Sequence, residues 1–156
     1  MLSKSAQSVQ DALSSKGIEA RVIELPASTR TAEEAARAIG CQVGQIIKSL
    51  IFRTKHTHKA ILILASGVNR VNEKTIAIQI GEEITKADAD FTREITGFAI
   101  GGIPPMGHKQ KIETYIDKDL LQFKELWAAA GTPNAVFSLN TDIIENITGG
   151  KVISVK

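Results

Sequence analysis

The run AILILA, residues 60–65, is apolar at six consecutive positions. A strand with one wet face would alternate apolar and polar side chains with period two. This run does not alternate, so both of its faces need cover. It therefore belongs at the centre of a sheet with packing elements on each side. A chain of 156 residues can build a core of ordinary size around it. Six residues are too few to span a bilayer. With 43% hydrophobic and 23% charged residues, the composition is that of a globular chain rather than a disordered one.

The flanking sequence supplies the partners. The polar turn 54–58, TKHTH, joins a β-rich segment at 49–53 to the strand at 59–65, which is a hairpin signature. Residues 3–16 carry Val9, Ala12 and Leu13 at helical spacing, and Gly17 ends the pattern. Residues 21–25 read as a strand. Thr31 and Glu34 make a capping box for a helix over 31–39, which stops at Gly40. A short helix is expected at 43–47. Asn72 caps a helix over 73–80, and a helix over 87–96 stops at Gly97. Beyond that, strands are expected at 114–116, 135–139 and 152–155, and helices at 120–130 and 141–147. Strands and helices alternate without a strict βαβ rhythm. The expected class is mixed α/β, one domain over 1–156 with helices on the faces of a mixed sheet.

The stretch GFAIGGIPPMGH, residues 97–108, is shaped for something other than a core strand. It is neither a dinucleotide fingerprint nor a Walker loop. Gly101 and Gly102 allow backbone angles that other residues avoid. Pro104 and Pro105 lack amide hydrogens and stiffen the end of the loop. The amides around 101–103 are left to converge on an oxygen, as in an oxyanion hole. A rigid connector is the alternative.

Charge points to the same place. No Asp or Glu occurs between Glu34 and Glu73, a stretch holding Arg37, Lys48, Arg53, Lys55, Lys59 and Arg70. A second acid-free stretch, from Glu94 to Glu113, holds the glycine loop with His108, Lys109 and Lys111. If the two meet in space, they form a positive surface for a phosphate-bearing partner. Chance spacing of solvated lysines is the plainer alternative.

Other candidates are weighed by their surroundings. His56 and His58 stand two apart, as metal ligands can, but no carboxylate or cysteine is near them. An exposed turn without metal is expected. Cys41 is the single cysteine, which excludes a disulfide framework and a multi-cysteine zinc site. Cys41 with His108 as base could make a nucleophile, but GCQVG shows no activating feature, and a small buried apolar role is expected. Lys48, flanked by Ile46, Ile47, Leu50 and Ile51, either snorkels to the surface or points into a pocket mouth. The N-terminus MLSKSAQSVQDAL lacks the apolar core of a signal peptide, and a cytoplasmic location is expected.

Taken together, STRTAEEAA at 28–36, IKSLIF at 47–52, TG at 96–97 leading into GGIPPMGH at 101–108, and AGT at 130–132 resemble the YbaK/EbsC family. Its members are free-standing relatives of the editing domain of bacterial prolyl-tRNA synthetases. The resemblance covers nearly the whole chain. It implies a central, mostly antiparallel mixed sheet or partial barrel with peripheral helices. It implies hydrolysis of the ester of a mischarged tRNA, commonly tRNA for proline carrying a small wrong amino acid. Lys48 matches the family's essential lysine. Gly101, Gly102 and Pro105 match its glycine–proline loop, and His108 stands where members vary. By the same resemblance Lys48 with Gly101, Gly102 and Ile103 would be catalytic. Thr29, Phe52, Asn69, Arg70, Pro105 and His108 would line the substrate. Many members carry Gly-Asp in the segment equivalent to ASGVNRVN. Here Val68 and Asn69 follow Gly67, so Asn69, Arg70 or Asn72 would line a differently shaped pocket.

The implied chemistry is attack by water, assisted by the substrate's ribose hydroxyl, with the oxyanion held by loop amides and no cofactor or metal. The implied partners are the aminoacylated 3′ end of tRNA and an aminoacyl-tRNA synthetase, with no membrane. A non-catalytic tRNA- or synthetase-binding module, or a small-molecule hydrolase that kept the fold, are the alternatives.

Overall fold

The apolar run sits where its composition requires. In the computed structural model, which describes residues 1–156, it forms strand β3 (Ala60–Ser66). Strand β2 (Ile46–Thr54) pairs with it antiparallel from Ile47 opposite Ser66 to Arg53 opposite Ala60. On its other edge β3 runs parallel to β5 (Glu113–Asp117). Leu62 and Leu64 enter the main core, while Ile61 and Ile63 enter a second cluster on the opposite face. Each of these four side chains is at most 1% exposed, and full burial of such a side chain contributes about 1.5–3 kcal/mol.

The remaining strands are β1 (Ile23–Glu24), β4 (Ile84–Lys86), β6 (Glu125–Ala129), β7 (Ala135–Asn140) and β8 (Lys151–Ile153). The sheet order is β1-β7-β6-β2-β3-β5-β8, with β4 attached to β2. Pairing is mixed, and the β2–β6, β3–β5 and β5–β8 ladders are parallel. The class is the mixed α/β expected.

The helices are α1 (Lys4–Ser15), α2 (Ala32–Ile39), α3 (Glu73–Ile80), α4 (Ala89–Thr96) and α5 (Ile144–Thr148). Helix α1 buries Ala6, Val9 and Leu13 in the main core, and α3 covers the other face with Ile76. Local chemistry sets their ends. Thr31 and Glu34 form the capping box of α2, and Asn72 caps α3 through the amides of Lys74 and Thr75. Gly40 and Gly97 end α2 and α4 in the left-handed region that glycine tolerates.

The structure departs from the sequence reading at three places in the sheet. Residues 120–130 are not a helix. A 3-10 segment, Lys118–Gln122, gives way to strand β6. The composition favours a helix, but burial has period two: Leu126, Ala128 and Ala130 are buried, and Glu125, Trp127 and Ala129 are not. Strands β2 and β7 flank this segment, and pairing with both overrides local propensity. At 43–47 only one 3-10 turn forms, Val43–Gln45, because Ile46 and Ile47 already pair with β6. The third is β4, which sequence alone did not suggest. It extends the free edge of β2 for three residues, Phe52 to Thr54.

Candidate active site

The site begins at a split in the sheet. On one edge of β2, β6 pairs only with Ile46 and Ile47, and β4 pairs only from Phe52. No strand covers that edge over residues 48–51. Two cavities open there. One, of about 310 Å³, lies under α2 and the Thr29–Thr31 segment. The other, of about 450 Å³, lies between β2, Lys86 and the segment of Arg70. Lys48, Ser49, Leu50, Ile100 and Ile103 line both, and so form the wall between them. The Ser49 hydroxyl is buried there without a partner.

Lys48 is half-buried, and its ammonium donates to the backbone carbonyl of Asn69. Burial pushes its pKa below the ordinary lysine value, and Arg70 adds to this, while Glu33 and Asp117 act in the opposite sense. Its hydrogen-bond partner is a neutral carbonyl, not a carboxylate, so its charge stays available to a ligand. The Asn69 carbonyl is aimed by a clamp. The Asn69 side-chain amide donates to Asp117 Oδ2 at 2.8 Å and to Asp119 Oδ2 at 2.7 Å. Asp117 is 1% exposed. It also accepts from the amides of Ser66 at 2.9 Å and Asp119 at 2.9 Å. These hydrogen bonds satisfy a carboxylate that burial would otherwise penalise. The sequence reading missed Asp117 and Asp119. The available signal was an acid ending the apolar strand TYID.

The glycine loop is braced through four of its carbonyls and keeps several amides free. The carbonyl of Phe98 accepts from Thr96 Oγ1, that of Ala99 from the Gly102 amide, and that of Gly102 from the Gly131 amide. The Pro104 carbonyl accepts from His108 Nε2 at 2.6 Å. The amides of Ala99, Ile100, Gly101 and Ile103 donate to nothing within the fold. The carbonyls of Ile100, Gly101 and Ile103 are unpaired as well, and the four free amides are donors of the kind that suit an anion or a developing oxyanion. Gly102 must be glycine for packing. A Cβ there would lie 2.8 Å from the Thr132 nitrogen and 2.9 Å from the Gly131 carbonyl carbon. Gly101 has φ +98°, and the Arg30 side chain lies against it.

The candidate residues separate into groups. Lys48, Gly101 and Ile103 meet at the first cavity, joined by Thr29. Thr29 is a wall residue, because its hydroxyl and its amide both donate to the Pro133 carbonyl. Phe52 and Arg70 line the second cavity. Four residues line neither. Gly102 is spent in the turn of the loop. Asn69 turns its side chain to Asp117 and Asp119, away from the cavities, and supports Lys48 through its carbonyl. Pro105 is buried behind the loop. His108 braces the Pro104 carbonyl, and burial lowers its pKa.

The cations also regroup. Arg30 joins Lys48 at the first cavity, and Lys86 joins Lys48 and Arg70 at the second. Of the others from the acid-free stretch, Lys55 pairs with Glu83, Lys59 with Glu113, and Arg53 lies over the Phe91 ring, while Arg37 lines neither cavity. The Cys41 thiol is pushed up by burial and then by Glu125, which opposes nucleophilic use. His56 and His58 are exposed in the hairpin turn, and no three His, Cys, Asp or Glu side chains are placed to hold a metal ion. No helix is long and apolar enough to cross a membrane.

Comparison with known proteins identifies the family. A family model described as the aminoacyl-tRNA editing domain matches residues 26–146. A crystal structure of a candidate trans-editing enzyme for prolyl-tRNA synthetase is 46% identical, with a TM-score of 0.94, covering 100% of this chain and 99% of that one. The uncharacterized protein YwhH of Bacillus subtilis is 31% identical over 131 residues, 84% of this chain and 83% of that protein. A candidate Cys-tRNA(Pro)/Cys-tRNA(Cys) deacylase of Enterococcus faecalis, EbsC, is 26% identical over 125 residues, 78% of this chain and 74% of that protein.

Proposed function

The chain belongs to the aminoacyl-tRNA editing domain family, among its YbaK/EbsC-like members, and on that premise we propose that residues 1–156 form one trans-editing deacylase domain. It hydrolyses the ester of a mischarged tRNA, with tRNA for proline carrying a small wrong amino acid as the leading substrate. The likeness to a candidate trans-editing enzyme for prolyl-tRNA synthetase supports that choice.

One observation carries the reading: Lys48 and the donor-rich loop stand on the wall shared by two cavities. The substrate has the same two-sided form, an aminoacyl group and a terminal nucleotide joined by one ester. With the aminoacyl group in the first cavity and the phosphate-bearing nucleotide in the second, the ester lies at the wall. Water attacks the carbonyl carbon. The oxyanion is received by the free amides of Gly101 and Ile103, each good donor contributing about 3 kcal/mol. Lys48 fixes the neighbouring phosphate or the polar end of the ester as a compact charge. The C–O bond to the ribose then breaks, the ribose oxygen takes a proton, and the free amino acid leaves. The ribose's own hydroxyl assists the attacking water, and no metal takes part. Arg70 and Lys86 hold the nucleotide's phosphate, so tRNA is the partner, delivered by a synthetase in the cytoplasm.

A deacylation panel tests this. Purified protein and its Lys48→Ala variant would be mixed with tRNA for proline charged with alanine, cysteine, serine, threonine, 2-aminobutyrate or proline. Hydrolysis of one or two small aminoacyl species, lost in the variant, is the expected result. RNA binding without hydrolysis of any species would overturn the enzyme in favour of a binding module. With subsaturating RNA the rate should fall steeply with salt.

A further inference from the structure

The first cavity has two cations on its wall, Arg30 and Lys48, and one carboxylate, Glu33. An aminoacyl ester differs from most esters in carrying an ammonium group one carbon from the reacting carbonyl. Arg30 and Lys48 would repel that ammonium, and a cavity that accepts it needs an opposing charge.

Glu33 is available for that role, whereas its neighbour is not. The Glu34 carboxylate is committed to the capping box, accepting from the Thr31 amide. Glu33 makes no salt bridge with the protein's own cations: those formed are Lys55–Glu83, Lys59–Glu113 and Lys156–Asp119. It lies in the first turn of α2, where the helix dipole favours a negative charge. It is also within electrostatic reach of Lys48, since its charge acts on the lysine against the effect of burial.

Resting on the deacylase reading above, we propose that Glu33 recognises the α-ammonium of the aminoacyl ester. The site then selects esters with a free amine and rejects N-acylated ones, including peptidyl and formylated esters of the same RNA. Glu33 is a specificity residue. The attack on the carbonyl does not pass through it.

The test uses the fastest aminoacyl-tRNA of the panel and its N-acetyl derivative, prepared by acetic anhydride treatment. The full chain and its Glu33→Gln variant are compared by kcat/KM. The wild type should prefer the free amine by roughly 10-fold or more, the scale of a charge-assisted hydrogen bond. Glu33→Gln should lose that preference by slowing only the free-amine ester, and Glu33→Asp should retain part of it. A parallel fall on both esters, or an unchanged ratio, would overturn the proposal. A role confined to capping α2 would lower the melting temperature and leave the ratio alone, which also overturns it. If the wild type hydrolyses no member of the panel, the deacylase reading itself has failed, and that outcome is distinct from an unchanged ratio.

Discussion

The chain has two conspicuous polar or glycine-rich loops, and they are built on opposite principles. In the hairpin turn between β2 and β3, every amide from Thr54 to Lys59 is spent. Thr54 donates to the Lys59 carbonyl, Lys55 to the Glu83 carbonyl and His58 to the Thr54 carbonyl. His56 and Thr57 both donate to Glu82 Oε1, at 3.0 and 2.8 Å, and Lys59 donates to Thr54 Oγ1 at 2.7 Å. In the glycine loop the carbonyls of Phe98, Ala99, Gly102 and Pro104 are engaged, and four amides are left unspent. A turn that only reverses the chain closes its hydrogen bonds. A loop that keeps unpaired donors on residues lining a cavity, while four of its carbonyls brace it, is suited to a ligand. Both loops are rich in residues that sequence inspection flags, and only the accounting of donors separates them.

The largest expected effect tests the open side of that comparison. Lys48→Ala should lower deacylation kcat/KM by about 10²-fold or more, the scale of losing one preorganised electrostatic group. Its circular dichroism should stay native, because Lys48 is half-buried and lies at the edge of the core. Gly102→Ala comes next. The added Cβ meets backbone atoms of Gly131 and Thr132 that cannot turn away. The loop must move, at a cost of about 1–3 kcal/mol. Displaced amides should reduce turnover by up to about 10²-fold. Denaturant unfolding and the deacylation assay would separate the two effects. Activity that survives intact in Gly102→Ala would show that the rigidity of the loop is not used.

Local chemistry made much of the fold legible. The capping box at Thr31 and Glu34, the Asn72 cap and the glycine stops at Gly40 and Gly97 are settled within a few residues of themselves. The doubly apolar run announced a central strand for the same reason. What failed depended on distant partners. Residues 125–129 carry helix-forming composition, and only the period-two burial of Leu126, Ala128 and Ala130 reveals the strand that β2 and β7 demand. The Lys48 support was hidden more deeply. Asn69 is held by Asp117 from 48 residues away, and no sequence period links a loop amide to an acid at the end of another strand. The split in the sheet was equally invisible, because it depends on where β6 leaves β2 and β4 joins it. Glu33 was concealed differently: the cap signature accounts for its neighbour Glu34, and nothing in the sequence shows that Glu33 reaches the first cavity.

A pH profile sharpens the open side further. Burial disfavours the charged form of Lys48, so the folded chain releases that proton at a lower pH than an ordinary lysine does. If the ammonium carries activity, kcat/KM should fall on the alkaline side below the ordinary lysine range, after correction for spontaneous ester hydrolysis. Asp117 acts in the opposite sense, so Asp117→Asn should move that limb to still lower pH. A limb that does not move would mean that Lys48 serves the site without its charge state mattering.

The smallest effect belongs to the closed turn, and it concerns stability alone. Glu82 is held below the ordinary carboxylate range, first by the Thr57 amide; desolvation, next in size, opposes this, and the Thr57 hydroxyl and the His56 amide add to the lowering. A carboxylate with a depressed folded-state pKa stabilises the fold above its unfolded pKa. That contribution disappears as pH falls through the folded value. Glu82→Gln should therefore melt below the wild type near neutral pH, and the gap should close as the solution is acidified through and below the carboxylate range. Deacylation should be unchanged in this variant, because Glu82 lines neither cavity of the site. A loss of activity in Glu82→Gln would couple the hairpin turn to the site and break the contrast between the loops. A melting difference that persists in acid would attribute the turn's stability to its shape instead of its charge.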